Sequence, residues 1–349
     1  MVENGNQSRR DVLKGTAGIG TIALAGCLGG DDDSIDMTVG SSSSGSSTYG
    51  NSQAIQRVVS QESDTVNFIT QDAGGDPQSI RLFADGELNS YSAGNYILNQ
   101  ALEQTGPFEE PDDVSEFPQH GFGHLSLNLY WMALEDSDIE TTDDLPGRDI
   151  YALPAGWGLR AMTEEMYGNA GLWEDLEEGV VNFETSEAAS ALEEGRVDAF
   201  VTYSSNYDQL PSWAVEIDSR ADVRAIEMTD DYIEAAEDFG GAGYEEVDEI
   251  GGWDQDVQGG DFPKHTWTET YPYLFSSEIP ADAVYELMEI CHEHYQSMQD
   301  ANPTILDWDD PDNFTFALTH TDEIPIHPGA ADWYEDNGVW DDSWTRGDE

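Results

Sequence analysis

The chain has 349 residues and carries 73 Asp and Glu against 12 Lys and Arg, a formal net charge of −61 at pH 7. Binding to nucleic acid and adhesion to an anionic membrane surface need clustered Lys and Arg, so this balance argues strongly against the first and disfavours the second. With 10 Trp, 15 Tyr and 12 Phe along its length, the chain also has the apolar material for packed cores, which disordered acidic chains lack.

The acidity itself is best explained by the solvent. Lys14 and Lys264 are the only lysines. A surface covered with Asp and Glu repels itself at low ionic strength, whereas molar salt shortens the Debye length to about 3 Å. We interpret the composition as adaptation to high salt. An acidic protein from a dilute environment is the alternative, and the near absence of lysine argues against it.

The N-terminus is typical of an export signal. Ser8–Lys14 fits the twin-arginine pattern Ser-Arg-Arg-x-apolar-Leu-Lys, and the apolar run that follows is too short to span a bilayer. That run ends in Leu24-Ala25-Gly26-Cys27, which resembles a lipobox. We therefore expect residues 1–26 to be a twin-arginine lipoprotein signal. Residues 27–35 would then be a flexible tether, anchored through a lipidated Cys27 on the extracytoplasmic face of the cell membrane.

Hydrophobic periodicity and Gly/Pro punctuation predict alternating strands and helices in the rest of the chain. The predicted strands are Asp36–Gly40, Val66–Thr70, Leu125–Leu134, Asp149–Leu153, Val197–Val201 and Thr266–Phe275. The predicted helices are a segment from Gly50 through Ser60, Pro77–Ala84, Ala93–Gln104, Leu159–Tyr167, Ser186–Glu194 with Thr185 as its N-cap, Ala281–Met298, and one that starts around Pro328. The Gly/Asp-rich stretch Gly240–Gly260 is predicted to be a long surface loop.

This alternation is typical of α/β units around mostly parallel sheets. Two long apolar strands join two such blocks, so we expect a two-lobed fold of the periplasmic-binding-protein type (type II), with a ligand cleft between the lobes. Lobe I would comprise residues 36–124 and 273–349, and lobe II residues 125–272. In open α/β sheets, ligands bind at the carboxyl ends of strands, beside helix N-termini.

Three predicted strand-to-helix loops offer groups that suit a small anion. Glycine lets the backbone approach a ligand, and helix N-termini present free N–H groups. The ligand-binding candidates are Ser42, Ser43, Ser44, Ser46, Thr48 and Tyr49 in the first loop, Gly74 and Gly75 in the second, Gly156, Trp157, Gly158 and Arg160 in the third, and Tyr203. Two alternatives stay open: the serine loop is simply solvated, or Arg160 pairs with surface carboxylates.

No catalytic or metal-binding pattern stands out. Gly-x-Ser-x-Gly and His-Glu-x-x-His are absent, and a stretch that begins like a calcium loop at Asp254 has His265 where a bidentate Glu is needed. Cys291 is predicted to lie on the apolar face of its helix as a core residue, and no other cysteine follows Cys27, so no disulfide is expected. A hydrolase would need Ser204 or Ser205 beside a histidine. We expect no enzymatic activity, no cofactor and no metal.

Several segments together resemble the TAXI-type (TRAP-associated extracytoplasmic immunogenic) solute receptors of tripartite ATP-independent periplasmic transporters. The most specific is the C-terminal run Ile324-Pro325-Ile326-His327-Pro328-Gly329-Ala330, followed by Trp333-Tyr334-Glu335 and Gly338. The others are the Gly40–Tyr49 loop, Gly74-Gly75, Leu145-Pro146-Gly147-Arg148, Gly156-Trp157-Gly158, Gly195–Phe200 and Ile279-Pro280 with Val284-Tyr285. The chain departs from the family pattern at Trp157, at Asn89 and in the serine-lengthened first loop.

This resemblance implies a function as well as a fold. It implies a monomeric receptor that captures a small carboxylate, of the glutamate or 2-oxoglutarate class, and delivers it to a TRAP-type membrane permease. A solute-binding lipoprotein of an ABC importer is the alternative, and an extracellular hydrolase is a more remote one.

The surface charge generates the first prediction. An anionic ligand must approach a strongly anionic protein, so we expect its affinity to fall as salt is removed, because the repulsion is then less screened. Calorimetric titration across a salt series, with folding checked by circular dichroism at each step, measures this. Unchanged affinity in dilute buffer with the fold intact would contradict it.

Overall fold

The structure, a computed structural model, describes residues 34–109, 114 and 117–348, so the predicted signal, Cys27 and nearly all of the tether lie outside the described residues. The described strands are β1 (Ile35–Ser41), β2 (Val66–Asp72), β3 (Ser90–Ser92), β4 (Gln119–Leu134), β5 (Ile150–Tyr151), β6 (Ala199–Ser205), β7 (Val223–Ala225), β8 (Gly243–Val247) and β9 (Lys264–Phe275). The described α-helices are α1 (Ser47–Glu62), α2 (Asp76–Ala84), α3 (Asn95–Glu103), α4 (Gly158–Asn169), α5 (Trp173–Leu176), α6 (Ala188–Glu193), α7 (Ser212–Arg220), α8 (Asp230–Glu237), α9 (Ala281–Gln299) and α10 (Pro328–Asn337). None of these helices is long and apolar enough to cross a membrane.

All nine strands belong to one mixed sheet, in the order β2-β1-β3-β9-β4-β6-β5, with β7 added to β4 and β8 to β9. Parallel pairing is confined to the two ends, where β1 pairs with β2 and β3, and β5 pairs with β6. Between these ends, β4 and β9 run antiparallel to each other and to their other neighbours. The sheet therefore consists of two parallel groups joined by a pair of long antiparallel strands.

The pairing of β4 with β9 is irregular where one group gives way to the other. The register shifts on both sides of Gly123, which lies opposite Pro272. The strands also approach closely at Gly121, where an added Cβ would lie 2.2 Å from the Phe275 ring. Proline cannot donate to the ladder, and glycine allows the bend that a bulge requires. This segment is the junction between the lobes.

Two hydrophobic cores lie along the sheet. The first packs β1 and β2 against α1, α9 and α10, and its centre is aromatic, with Phe122, Trp308, Phe314 and Trp333 in mutual ring contact. The second and larger core surrounds the other ends of β4 and β9 together with β6. Each long strand thus contributes to both cores, and the predicted two-lobed α/β fold is confirmed.

The predicted lobe boundaries remain a prediction, with one observation bearing on them. Buried side chains between Ile80 and Phe108, a segment assigned to lobe I from the sequence, pack in the larger core. They do so because β3 pairs with β9 and α3 lies against both β9 and α4.

Several local predictions need correction. Helix α1 begins at Ser47 rather than near Gly50, because the Ser46 side chain accepts a hydrogen bond from the Tyr49 N–H and caps the helix. Thr185 is not an N-cap: residues 185–187 form a single 3₁₀ turn before α6. The strand expected at Asp149–Leu153 is limited to β5, since Leu153 turns to a left-handed φ of 72°. The expected loop Gly240–Gly260 contains β8, which pairs with β9.

Cys291 is a core residue, as predicted. It is fully buried in the first core, and burial raises the pKa of its thiol far above the ordinary range, so it stays protonated. His292 and His294 are only partly buried; His292 contacts the Trp308 carbonyl oxygen, and His294 lies beside Glu62.

The C-terminal motif has a structural explanation. His327 precedes α10 and accepts a hydrogen bond from the Gly329 N–H through Nδ1, while Nε2 donates to the Ile279 carbonyl oxygen. Burial lowers the pKa of His327 to about 4, so the neutral ring that this pattern requires is the stable form. Gly329 lies against α9, where an added Cβ would come 1.9 Å from the Ala281 carbonyl oxygen. Only glycine allows α9 and α10 to pack this closely.

We expect Gly329→Ala to lower the free energy of unfolding by about 1–3 kcal/mol or more, because the methyl group collides with backbone that cannot move without separating the helices. Gly240→Ala is the matched control, since a Cβ there meets nothing within 4 Å. Thermal unfolding in molar salt, followed by circular dichroism, measures both variants. Equal midpoints for the two would refute this account of the motif.

Candidate functional site

The three predicted loops meet at a small cavity between the lobes. Its volume open to the centre of a water molecule is about 20 Å³, so the cleft is narrow, has room for about one or two waters and remains partly open to solvent. The side chains and backbone that enclose it are Ser42, Ser46, Ser47, Thr48, Asp76, Leu127, Trp157, Gly158, Leu159, Tyr203 and Tyr271. Both lobes contribute, so a larger ligand can enter only when the lobes separate or side chains move.

The first wall is the N-terminus of α1. Ser46 caps the helix, and its hydroxyl also lies 2.9 Å from that of Thr48. Ser47 reaches across the cleft, where its Oγ is 2.8 Å from Oγ of Ser205 at the end of β6. The first N–H groups of a helix have no partner within the helix, and they attract negative charge. This wall therefore combines hydroxyls with an electropositive helix end.

The opposite wall is the N-terminus of α4. Trp157 is its N-cap residue, with no side-chain hydrogen bond to the helix, and Gly158 and Leu159 open the first turn. Gly158 is closely approached: a Cβ added there would lie 2.8 Å from Ile97 and 3.6 Å from Oδ2 of Asp76. The turn of the second loop also faces this wall, because a Cβ on Gly75 would lie 3.6 Å from the Gly156 carbonyl oxygen. Two helix ends thus face one cavity.

A carboxyl group, Asp76, lies at the floor. It opens α2 and is 3% exposed. The Gly94 N–H donates to its Oδ2 at 3.2 Å, and Ser42 bonds to the carboxyl as well. Burial raises the pKa of Asp76 from 3.8 to about 6, and these two hydrogen bonds offset part of that rise. At neutral pH the carboxyl is ionised in a cavity whose described lining contains no Lys or Arg.

A second buried carboxyl stands behind the first. Glu269 on β9 accepts a hydrogen bond from the Tyr96 N–H at the start of α3. Its pKa is raised well above the usual range, first by burial and further by the negative charge of Asp76. Gly94 makes room for it, since a Cβ there would lie 2.7 Å from its Oε1.

Aromatic side chains complete the walls. Tyr203 is buried with its ring edge-to-face against Trp213, and Tyr271 is buried on β9. Burial raises the pKa of both phenols, so they remain neutral. Together with Trp157, they give the cavity an apolar and polarisable surface.

The structure gathers some of the predicted ligand-binding residues and disperses others. Those that line the cavity are Ser42, Ser46, Thr48, Trp157, Gly158 and Tyr203. Ser43, Ser44, Tyr49, Gly74, Gly75 and Gly156 lie in the same loops but outside the lining. The loop is held in place partly by the Ser44 N–H, which donates to Asp72.

Arg160 does not lie where it could bind the ligand, although the sequence predicted that it would. Its Nε contacts Glu164 at 2.5 Å, its Nη1 donates to the Leu153 carbonyl oxygen, and its guanidinium lies over the Trp173 ring. It does not line the cavity, and the open alternative, pairing with a carboxylate, describes its position. The cation expected for an acidic ligand is therefore engaged within lobe II.

The sequence reasoning missed five residues of the lining, namely Ser47, Asp76, Leu127, Leu159 and Tyr271. Asp76 had a local signal, since it follows Gly74-Gly75 and precedes Pro77 at a helix start. An acid at a helix N-terminus commonly stabilises the helix dipole, and nothing in the sequence distinguishes that role from lining a cavity. Leu127 and Tyr271 lie on the long strands, and only the pairing of those strands places them at the cleft.

The serines considered for a hydrolase have other partners. Ser204 Oγ bonds to the Tyr130 hydroxyl and to the Gly251 carbonyl oxygen, and Ser205 bonds to Ser47. No group of His, Cys, Asp and Glu within the described residues has the arrangement of a metal site.

The sequence profile of the NMT1-like family matches residues 39–338. No curated protein matches the chain. Among solved structures, the periplasmic aliphatic sulphonate binding protein SsuA from Escherichia coli is 13% identical, with a TM-score of 0.44 over 87% of this chain and 93% of that one. A putative periplasmic sulfonate-binding protein from Methylobacillus flagellatus is 15% identical, with a TM-score of 0.45 over 88% of each chain. The pyroglutamic acid-binding receptor DctP7 from Bordetella pertussis is 10% identical, with a TM-score of 0.41 over 81% of this chain and 86% of that one. At these values none of the three indicates a ligand for this chain.

The raised pKa of Asp76 predicts an unusual stability profile. The unfolded chain loses this proton near pH 3.8 and the folded chain near 6, so the folded state is favoured at low pH and loses that advantage as pH rises through 6. We expect Asp76→Asn to stabilise the ligand-free protein at about pH 7.5 by up to about 3 kcal/mol, and by much less near pH 4.

Chemical unfolding at both pH values in molar salt measures this difference. Asp85→Asn, at the exposed end of the same helix, changes the net charge equally without changing a buried group. A loss of stability in Asp76→Asn at pH 7.5 would contradict the assignment.

Proposed function

The chain belongs to the NMT1-like family, and from that membership and the geometry of the cleft we propose that it is an extracytoplasmic solute-binding receptor. It captures a small organic acid between its lobes and delivers it to a membrane permease. One observation carries the proposal: loops from both lobes enclose a single cavity lined by hydroxyls and two helix N-termini. A site divided between two bodies binds by closure and releases by opening.

The walls suit a carboxylate. The residues Ser46, Ser47 and Thr48 and the N-terminal turns of α1 and α4 line one space, and their hydroxyls and backbone N–H groups are the donors that a bound carboxylate needs. Such donors hold a carboxylate without any cationic side chain. This matters here because Arg160 is engaged elsewhere. The carboxylate class inferred from the family resemblance therefore remains the proposal, with neutral donors in the place of an arginine.

The mechanism of capture follows from the narrow cleft. The Ser47–Ser205 hydrogen bond crosses it, and nearby the Asn206 side-chain amide donates to the Thr304 carbonyl oxygen. Opening breaks these hydrogen bonds, and we place the hinge at the irregular segment of β4 and β9 around Gly123. A ligand that bridges the two helix ends then favours closure by the difference in its affinity for the closed and open forms.

For the transporter, we propose a TRAP-type permease, on the basis of the TAXI resemblance. Anchoring through Cys27 would keep the receptor at the membrane surface after twin-arginine export. An ABC importer is the alternative. The adjacent gene distinguishes them, because a fused TRAP permease or an ATPase would identify the system, and uptake after deletion of that permease tests the assignment.

The binding proposal predicts the effect of one hydroxyl. We expect calorimetric titration in molar salt, against a panel of small carboxylates and amino acids, to find a ligand for the wild-type protein. Ser47→Ala should weaken binding of that ligand by about 10- to 100-fold, the cost of a hydrogen bond to a charged group. Ser60→Ala, on the exposed side of the same helix, should leave the affinity unchanged.

Two results would count against the proposal. A folded protein that binds nothing in the panel would reject the ligand class, and equal affinities of Ser47→Ala and wild type would reject this cavity as the site.

A further inference from the structure

The carboxyl of Asp76 is the one ionised group that the cavity offers to a ligand. Among the described residues that line it there is no other acid and no Lys or Arg, and Asp76 is 3% exposed. Within the protein it receives two hydrogen bonds, from the Gly94 N–H and from Ser42. An ionised carboxylate can accept about four, so it retains capacity on the side of the cavity.

A buried carboxylate without a cationic partner is costly, and proteins usually pair it. None of the groups that face Asp76 is a cation. They are Ser42 after β1, the Gly94 N–H before α3, Gly158 at the start of α4, and Glu269 and Tyr271 on β9. Burial favours the neutral, protonated form of Glu269, and Tyr271 is neutral as well. The helix ends carry only partial charges, so a full positive charge must come from the ligand.

Resting on the proposed receptor function, we propose that the ligand carries an ammonium group and that Asp76 accepts it. A primary ammonium has three N–H donors and fits the unused acceptor positions of this carboxylate. Trp157, Tyr203 and Tyr271 line the same cavity and favour a cation through their aromatic rings.

The rest of the cavity then defines the ligand class. The helix ends and the hydroxyls of Ser46, Ser47 and Thr48 bind the carboxylate, and Asp76 binds the ammonium on the floor below. The walls and the floor line one cavity, so both charges belong to the same small molecule. The ligand is therefore a zwitterionic amino acid, and a 2-oxo acid of the same shape is discriminated against because it leaves the carboxylate of Asp76 unpaired.

Matched pairs of probes test this inference by calorimetric titration in molar salt: L-glutamate with 2-oxoglutarate, L-alanine with pyruvate, and L-phenylalanine with phenylpyruvate. We expect at least one amino acid to bind 10-fold or more tightly than its oxo partner. Asp76→Asn should weaken that amino acid by roughly 30-fold or more, as loss of one member of a buried charge pair does. Asp85→Asn, equal in charge change and exposed, should not.

The dependence of ligand affinity on pH shows whether Asp76 acts as a counter-ion to the ligand or only as a structural residue. Between about pH 5.5 and 7.5 the charges of the amino acids are constant, so only the protein titrates. The affinity of the wild type should rise about fourfold over this range as Asp76 ionises, given its pKa of about 6. Asp76→Asn should show a flat profile and, being neutral, should remain folded.

Each outcome has a distinct meaning. Equal binding of amino and oxo acids, an affinity that falls as pH rises, or an Asp76→Asn variant with wild-type affinity overturns the ammonium inference. In those cases the receptor function stands, with Asp76 acting as a protonated donor or as a structural residue. If only oxo acids or nitrogen-free dicarboxylates bind, the ammonium inference is likewise overturned and the receptor function stands. Binding of no probe at all by the folded protein rejects the small-carboxylate ligand class, on which the proposed function and the ammonium inference both rest.

Discussion

The antiparallel pairing of β4 with β9 is the constraint on which the rest of the structure depends. These strands are the only path by which backbone hydrogen bonds connect the two parallel groups of the described sheet. Because each strand is buried in both cores, neither lobe can shift without affecting the ladder, except around Gly123 opposite Pro272, where the register is already broken. The proposed opening of the cleft bends the ladder at this irregular segment.

The cleft follows from the topology. In a parallel α/β group, each strand delivers the chain to a helix start at one edge of the sheet, so β1, β2 and β5 present their loops at the edge where binding groups are expected. What the topology alone does not provide is charge. The walls are hydroxyls and helix ends, which attract anions, while the floor is Asp76, which repels them. A site with donors for an anion on its walls and a carboxylate on its floor is complementary to a molecule that carries both a negative and a positive charge.

Much of this architecture could be predicted from the sequence, for physical reasons that particular residues show. The spacing of Val284, Leu287, Met288 and Cys291 identified a buried helix face because one helical period governs α9 up to the kink at His294. The serine loop and Gly156–Gly158 could be predicted as strand-to-helix loops because the conformational freedom of the backbone depends on the local sequence. Arg160 and Asp76 could not be placed in this way. Whether Arg160 turns to the cavity or to Glu164, and whether Asp76 has a cation nearby, depends on contacts between segments distant in the chain.

In a chain with a net charge of −61, the sequence does not distinguish Asp76, which we propose binds the ligand, from the many other acids. Glu269 is the only other buried Asp or Glu in the described part of the chain, and the repulsion between the remaining described carboxylates is screened by salt within about 3 Å at molar concentration. Asp76 is 3% exposed, so salt screens its interaction with a bound ligand much less than it screens the surface charges. An excess of surface acid therefore says little about which charge a binding site prefers. At this site, one desolvated carboxylate sets the preference for a positive charge. Burial makes that carboxylate costly to leave unpaired, and it also strengthens the interaction of the carboxylate with a ligand.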